Sequence, residues 1–342
     1  MAGFTITGGV SFSGAVSMSD APPPDNTAAW FGGGYNPSVG NIYSRVDRIT
    51  FATDTATATT RGPLSTTRKG SMGATGMYSD GWFGGGQNGA GGTGNAVSRV
   101  DRITYATDTA TAVARGPLSL ARYNLAAAGN ITDGWFGAGY DWPTNFSTVD
   151  RITYATDTAT ASVRGPLSVA RNSLAAAGNS TNGWFGGGPP LSPGTAYSTT
   201  VDRITYATDT ATASVRGPLS EARSGLGATG NTTDGWFGGG YDGGLPFPFT
   251  SRVDRITYAT DTATASVRGP LNMNQGGKIN MGAAGDPTAG WFGGGGGHNG
   301  SLVFTTFSLV DRITYATDTA TASTRGPLTL ARYGLAAAGG FQ

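Results

Sequence analysis

Acids and bases recur in this chain at fixed intervals. Val-Asp-Arg-Ile-Thr begins at Val46, Val100, Val149, Val201, Val253 and Val310, and Arg-Gly-Pro-Leu begins at Arg61, Arg115, Arg164, Arg216, Arg268 and Arg325. In an extended segment Asp101 shares a side with Ile103 and Tyr105, while Arg102 lies on the other. Asp101 is therefore expected to point into a contact between sheets. A carboxylate there needs a partner, and Arg115 or its counterparts are the expected source. An Asp-Arg pair repeated six times reads as a structural device rather than as six catalytic centres, and its net contribution to stability is expected to be small.

Other chemistry is thinly provided. The only histidine is His298, in a Gly-rich stretch, and there is no cysteine. A zinc or copper site would have to rely on carboxylates and tyrosine, so no metal and no cofactor are expected. Acids outside the repeated text that could form a glycosidase-type pair are few, among them Asp141, Glu221 and Asp242. The Gly-Gly-Gly runs open loops rather than helices and lack the Lys of a phosphate-binding loop. Tight turns at sheet ends, where φ must be positive, explain them better. The reading is of a non-enzyme, with a glycan-active enzyme as the least favoured alternative.

These residues are placed by a repeat. Trp-Phe-Gly occurs at Trp30, Trp82, Trp135, Trp184, Trp236 and Trp291, always ahead of the other two markers. Within a copy, β-branched and aromatic residues stand in short runs bounded by Gly, Asn, Asp and Pro, the pattern of strands. A small-residue strand, Ala126, Ala127 and Ala128, turns at Gly129-Asn130 and Asp133-Gly134 into a second strand carrying Trp135 and Phe136. Val149 to Ala155 makes the third strand, and Thr156-Asp157-Thr158 turns it into a fourth, Ala159 to Val163, which ends before Pro166. Six such four-stranded antiparallel blades predict an all-β fold, a six-bladed β-propeller over residues 27 to 342.

The chain ends support closure. The first copy starts at Ala28-Ala29-Trp30 without a first strand, and the chain finishes with Leu330-Ala331-Arg332 to Gly340, a first strand without a second. The C-terminal strand is expected to become the innermost strand of the N-terminal blade, which removes the free edges of the array. Residues 1 to 26 form a separate arm. From residue 4 to 18 every even position is apolar or Gly, with Phe4, Ile6, Val10, Phe12, Val16 and Met18 the apolar ones, a period of two that predicts a strand or hairpin with one apolar face. Ala21-Pro22-Pro23-Pro24-Asp25 is a stiff spacer. The arm either folds back on its own ring or pairs with another subunit by strand addition.

Composition narrows the partners. A chain of 342 residues can bury a sizeable core. Only 13% of residues are charged and the net charge is +1, so no basic field attracts nucleic acid or an anionic membrane. Glycine reaches 58 residues without a three-residue period, and aromatics are 10%, which excludes collagen and argues against disorder. Without cysteine the redox compartment stays open. No apolar run is long enough to span a membrane, and the opening residues lack a basic n-region and an unbroken apolar h-region, so neither membrane spanning nor classical secretion is expected.

The repeated strands are nearly verbatim, whereas the loop joining the second strand to the third differs in all six copies. These loops carry Tyr35, Tyr43, Tyr140, Asp141, Trp142, Phe146, Tyr197, Tyr241, Asp242, Phe247, Phe249, Phe304 and Phe307. Aromatics on loops held by a rigid frame are expected to form a recognition surface.

The order of an Arg-led first strand, a second strand ending in Gly-Gly, a variable loop, a third strand ending in an aromatic and a Tyr-x-x-Asp turn such as Tyr105 to Asp108 resembles the kelch repeat. The family's usual Trp on the fourth strand is replaced by small residues such as Ala112, and Trp135 with Phe136 is expected to supply that bulk. The resemblance implies that the variable loops share a face with the links between blades, the usual ligand face. Phrases such as Gly-Trp-Phe-Gly-Gly-Gly, Val-Asp-Arg-Ile-Thr-Tyr-Ala-Thr-Asp-Thr-Ala-Thr and the opening Gly-Val-Ser-Phe-Ser-Gly look like those of predicted structural proteins of tailed phages infecting marine bacteria. That resemblance implies a virion component such as a fibre, tail or capsid-surface protein. Its implied partners are other virion proteins or copies of itself through the arm, and a cell-surface glycan or protein through the loops. A cellular kelch-like scaffold or adhesin, extracellular or at the cell surface, is the alternative.

Overall fold

A computed structural model describes residues 27–89, 94–190, 197–244, 249–272, 277–298 and 303–339. The arm residues Phe4, Ile6, Val10, Phe12, Val16 and Met18, and Phe247 of the loops, lie outside the described residues.

Six four-stranded antiparallel sheets follow one another around a ring. In the third blade the strands are Ala126–Gly129, Asp133–Gly137, Val149–Thr153 and Ser162–Arg164. The third strand is shorter than expected. Tyr154–Thr156 winds into a 3-10 turn instead of extending the strand to Ala155, and the fourth strand starts at Ser162 rather than Ala159. The turn aims Tyr154 out of the sheet, where its ring stacks on Trp82 of the blade before.

Closure is as the chain ends imply. Ala336–Gly339 lies beside Ala28–Gly32 with Trp30 opposite Ala338, and Trp30 is opposite Arg48 on its other side. First strands line a narrow central channel with Ala and Gly, and with Thr75 and Thr229. Six backbones converge there, and the small side chains leave room for them.

Alternation along the second strand splits the work of packing. Phe136 points back, against Gly73 and Gly84 of the preceding blade, where any Cβ would overlap its ring. Trp135 points forward, stacking on Tyr206 of the next blade at 3.7 Å. All six blades repeat the arrangement, with Phe51 replacing Tyr at the closing contact with Trp291. The Trp and Phe of the second strand thus supply the bulk between blades, with no Trp on the fourth strand.

The Asp-Arg arrangement differs from the expectation. Asp101 pairs with Arg68, which leads the first strand of its own blade, at 2.7 Å with both side chains fully buried. Arg115 cannot reach it. The strand register sets Arg115 opposite Val100 and Ala114 opposite Asp101, so Arg115 and Arg102 share the forward face. Both bind Asp157 of the next blade, at 3.3 and 3.2 Å. That carboxylate also accepts the indole N–H of Trp82 at 2.9 Å.

One glycine in each link is required by a close approach. Gly165 donates its N–H to the Asp209 carbonyl at 2.7 Å as the chain crosses to the next blade. A Cβ at Gly165 would fall on the Ala211 carbonyl oxygen, and the same holds at Gly62, Gly116, Gly217, Gly269 and Gly326.

Candidate functional site

The loops between second and third strands lie beside the links that enter the same blade. Single β-bridges join Tyr35 to Tyr333, Lys69 to Gln87, Tyr123 to Tyr140, Ser224 to Tyr241 and Ile279 to Gly296. Loops and links therefore form one face, and the turn of the first hairpin and the Tyr-Ala-Thr-Asp turn form the other. Both described chain ends, Thr27 and Gly339, are on that other face, since Gly339 pairs with Ala29 at the far end of the strand from its loop.

The loops are built by short local pairings. Tyr35–Asn36 pairs with Asn41–Ile42, Tyr140–Asp141 with Thr144–Asn145, and Gly296–His298 with Phe304–Thr306. Doubled glycines precede them in left-handed conformation, as at Gly33 and Gly34 (φ 72° and 110°), because the chain turns sharply off the strand beside the incoming link.

The side chains of these loops meet across blade boundaries. Ring centroids of Tyr197 and Tyr241 are 5.2 Å apart, Tyr241 and Phe249 5.5 Å, Phe249 and Phe304 6.0 Å, Phe304 and Tyr333 5.5 Å, and Tyr333 and Tyr35 5.8 Å. His298 stands edge-on to Phe249 at 4.7 Å. The Lys69 ammonium lies 4.5 Å above the Tyr35 ring, a cation on the negative face of an aromatic. The six rings are half-buried and form one arc over the fourth, fifth, sixth and first blades. A shorter run in the third blade joins Tyr123, Tyr140 and Trp142, at 5.4 and 6.3 Å.

The expected loop residues therefore divide. Tyr35, Tyr197, Tyr241, Phe249 and Phe304 belong to the arc. Trp142 is the most exposed aromatic among the described loop residues, at 54%. Tyr140 and Phe307 are buried instead, at 8% and 5%, so neither presents its ring to a partner. Tyr43, Phe146 and Phe307 share one structural position, where the backbone carbonyl accepts the N–H of the Arg leading the next first strand, Arg68, Arg171 and Arg332. The Asp242 carboxylate takes the N–H of Gly244 in its own loop at 2.8 Å, and Glu221 binds Arg252 at 2.8 Å. Asp141 pairs across its own loop with Thr144.

Tyr333, Tyr123 and Lys69 were not anticipated. All follow the Arg that leads a first strand, at the one position there that reads Lys69, Tyr123, Asn172, Ser224, Ile279 and Tyr333. Variation inside otherwise repeated text is the signal that marks them.

The charge state of the face is simple. Burial pushes up the phenols of Tyr123, Tyr197 and Tyr333, aided by neighbouring tyrosines, so all three are neutral at pH 7. Partial burial lowers the Lys69 ammonium. Among the described residues no three His, Cys, Asp or Glu side chains are grouped to hold a metal.

At the mouth of the channel on this face a backbone hydrogen bond links each blade to the one before it. Ser71 donates to the carbonyl of Gly334, Asn124 to Gly70, Ser173 to Asn124, Gly225 to Ser173, Asn280 to Gly225 and Gly334 to Asn280, at 2.7 to 3.1 Å. The six bonds close a circle. The donors Ser71, Asn124, Ser173 and Asn280 all hold positive φ, between 38° and 54°, the left-handed region that small polar residues and glycine tolerate.

The sequence matches no protein-family profile, and no curated protein matches it. Among solved structures it is similar to that of YjhT, with a TM-score of 0.62 and 11% identity over 80% of this chain and 89% of that one. That likeness is one of fold.

Proposed function

We propose that this chain is a non-enzymatic virion structural or attachment protein, a fibre, tail or capsid-surface component whose loop face contacts a host surface or neighbouring subunits. The observation that carries the reading is the contrast within the molecule. Six blades share one buried frame, with Trp, Phe and Asp in the same places and a buried Arg that only the sixth blade replaces, with Lys278, while the loops they hold differ in every copy and bring their aromatic side chains together on one face. Loops of Tyr, Gly, Ser and Asn on a rigid β-frame are the composition that recognition surfaces use, since Tyr supplies contact area at low entropic cost. The phage-like wording of the repeat supports the virion setting, and the kelch-like order of the strands supports the loop face as the binding face.

Electron microscopy of purified particles labelled with an antibody to this chain tests the setting. Labelled particles are the expected result. Label confined to the surface of uninfected cells would replace it with a cellular adhesin.

A further inference from the structure

We propose that the arc Tyr197, Tyr241, Phe249, Phe304, Tyr333 and Tyr35 is a track for a neutral, extended glycan chain, an inference that rests on the loop face being the binding face.

Three observations carry it. The rings follow one another at 5.2 to 6.0 Å, a spacing on the scale of a single sugar unit, and continue across four blades rather than closing into a pocket. Successive rings are turned by 56° to 80°, so that part of a face or an edge of each half-buried ring remains for a ligand. The C–H face of a pyranose lies against such a surface, while phenolic hydroxyls at Tyr35, Tyr197, Tyr241 and Tyr333 supply hydrogen bonds to the sugar's rim.

Charge selects the neutral class. Along the arc the charged groups are Lys69, whose ammonium is held over Tyr35, and Asp242, which is bound to its own loop. The guanidinium groups of Arg45 and Arg252 at this face are engaged with Asp47 and Glu221. Among the described residues nothing along the arc offers the free bidentate fork that a uronate or sulfate calls for.

A protein partner fits less well. Its energy would come from a contiguous, fully desolvated patch, whereas among the described loop residues the exposed large apolar side chains, Val39, Trp142 and Val303, lie on three different blades.

The test uses the full chain against immobilised linear gluco-, manno-, xylo- and galacto-hexasaccharides, with uronate and sulfated hexasaccharides alongside. Binding to at least one neutral hexamer is expected, weaker for the corresponding dimer and unchanged between low and high salt. Tyr241→Ala and Phe304→Ala should each weaken it by about tenfold. Tyr241→Phe, which keeps the ring, should weaken it less, and Trp142→Ala, outside the arc, should leave it unchanged; thermal melts confirm that each variant is folded. Binding to charged hexamers alone, to none, or with full affinity in folded Phe304→Ala would overturn the inference. Labelled particles with no neutral glycan bound would leave the proposed function and remove this inference. A bound glycan with unlabelled particles would do the reverse.

Discussion

The indole nitrogen of Trp291 donates to the carboxylate of Asp54 at 2.8 Å, across the join between the last blade and the first. Arg312 and Arg325 reach the same carboxylate at 3.2 and 3.3 Å. The join is therefore bonded like every other boundary, where Asp108, Asp157, Asp209, Asp261 and Asp318 take the indole N–H and two guanidinium groups of the blade before.

Equal construction predicts equal cost. Asp54→Ala and Asp157→Ala should each destabilise by about 3 kcal/mol, because each strands one indole N–H and two partly buried cations. Chemical denaturation of both variants measures this. A cost at Asp54 far below that at Asp157 would mean that the ring is open in solution.

The glycines of the Arg-Gly-Pro-Leu links should be intolerant of a single methyl group. Gly165→Ala places its Cβ on the Ala211 carbonyl oxygen, and backbone must move, at a cost of about 3 kcal/mol or more. Gly40→Ala, at φ 69° but in open space, should cost only about 1 kcal/mol. Comparing the two melting temperatures separates crowding from backbone strain.

Alkali should unfold the ring steeply. Burial raises the phenols of Tyr105, Tyr154, Tyr206, Tyr258 and Tyr315 above their usual value of 10.0. A group raised on folding keeps its full contribution below its unfolded pKa and loses it as pH climbs from there toward the folded value. Five such groups together lose about 7 kcal/mol per pH unit above pH 10. Phenolate absorbance should show these tyrosines ionising only as the fold is lost; smooth titration in a folded protein would contradict it.

The sixth blade carries Lys278 where the others carry Arg, and its Nζ binds Asp311 at 2.7 Å. In the second blade Arg68 also reaches the carbonyls of Phe83, Gly85 and Arg99. Lys278→Arg should therefore stabilise by about 1 kcal/mol. Burial raises the Asp311 carboxyl above 3.8, with Lys278 pulling it back. Stability from this group is complete below 3.8 and declines as pH rises through the folded value. A stronger cationic partner should shrink that decline. Urea midpoints measured from acid to neutral pH would refute this if the two proteins fell in parallel.

The ring and its closure were legible because Trp-Phe-Gly and its companions recur in fixed order and the two chain ends complement each other. The ion pairs were half legible. Asp101 announces its burial by alternation, but its partner Arg68 is 33 residues away, and only the strand register shows that Arg115 faces the other way. By type Tyr154 suits a strand, which extends the expected third strand to Ala155; in the fold Tyr154 begins a 3-10 turn and its ring stacks on Trp82, a contact between blades that sequence alone does not display. In the binding face, loop aromatics were visible as loop residues, yet composition could not tell that Phe307 turns inward while Tyr333, from a link, completes the arc. Ser71, Asn124, Ser173, Gly225, Asn280 and Gly334 look unrelated until the six copies are aligned, when all prove to be residues that accept a left-handed backbone.

The circle of amide bonds around the channel mouth gives the ring a sense of rotation, each blade giving to the one before it and receiving from the one after. Such a circuit has no end at which to begin unzipping. A blade can lift away only by severing two of its bonds at once, so these six amides should be among the last to exchange their hydrogens for deuterium, and a pull applied through any one loop is shared around the whole circumference.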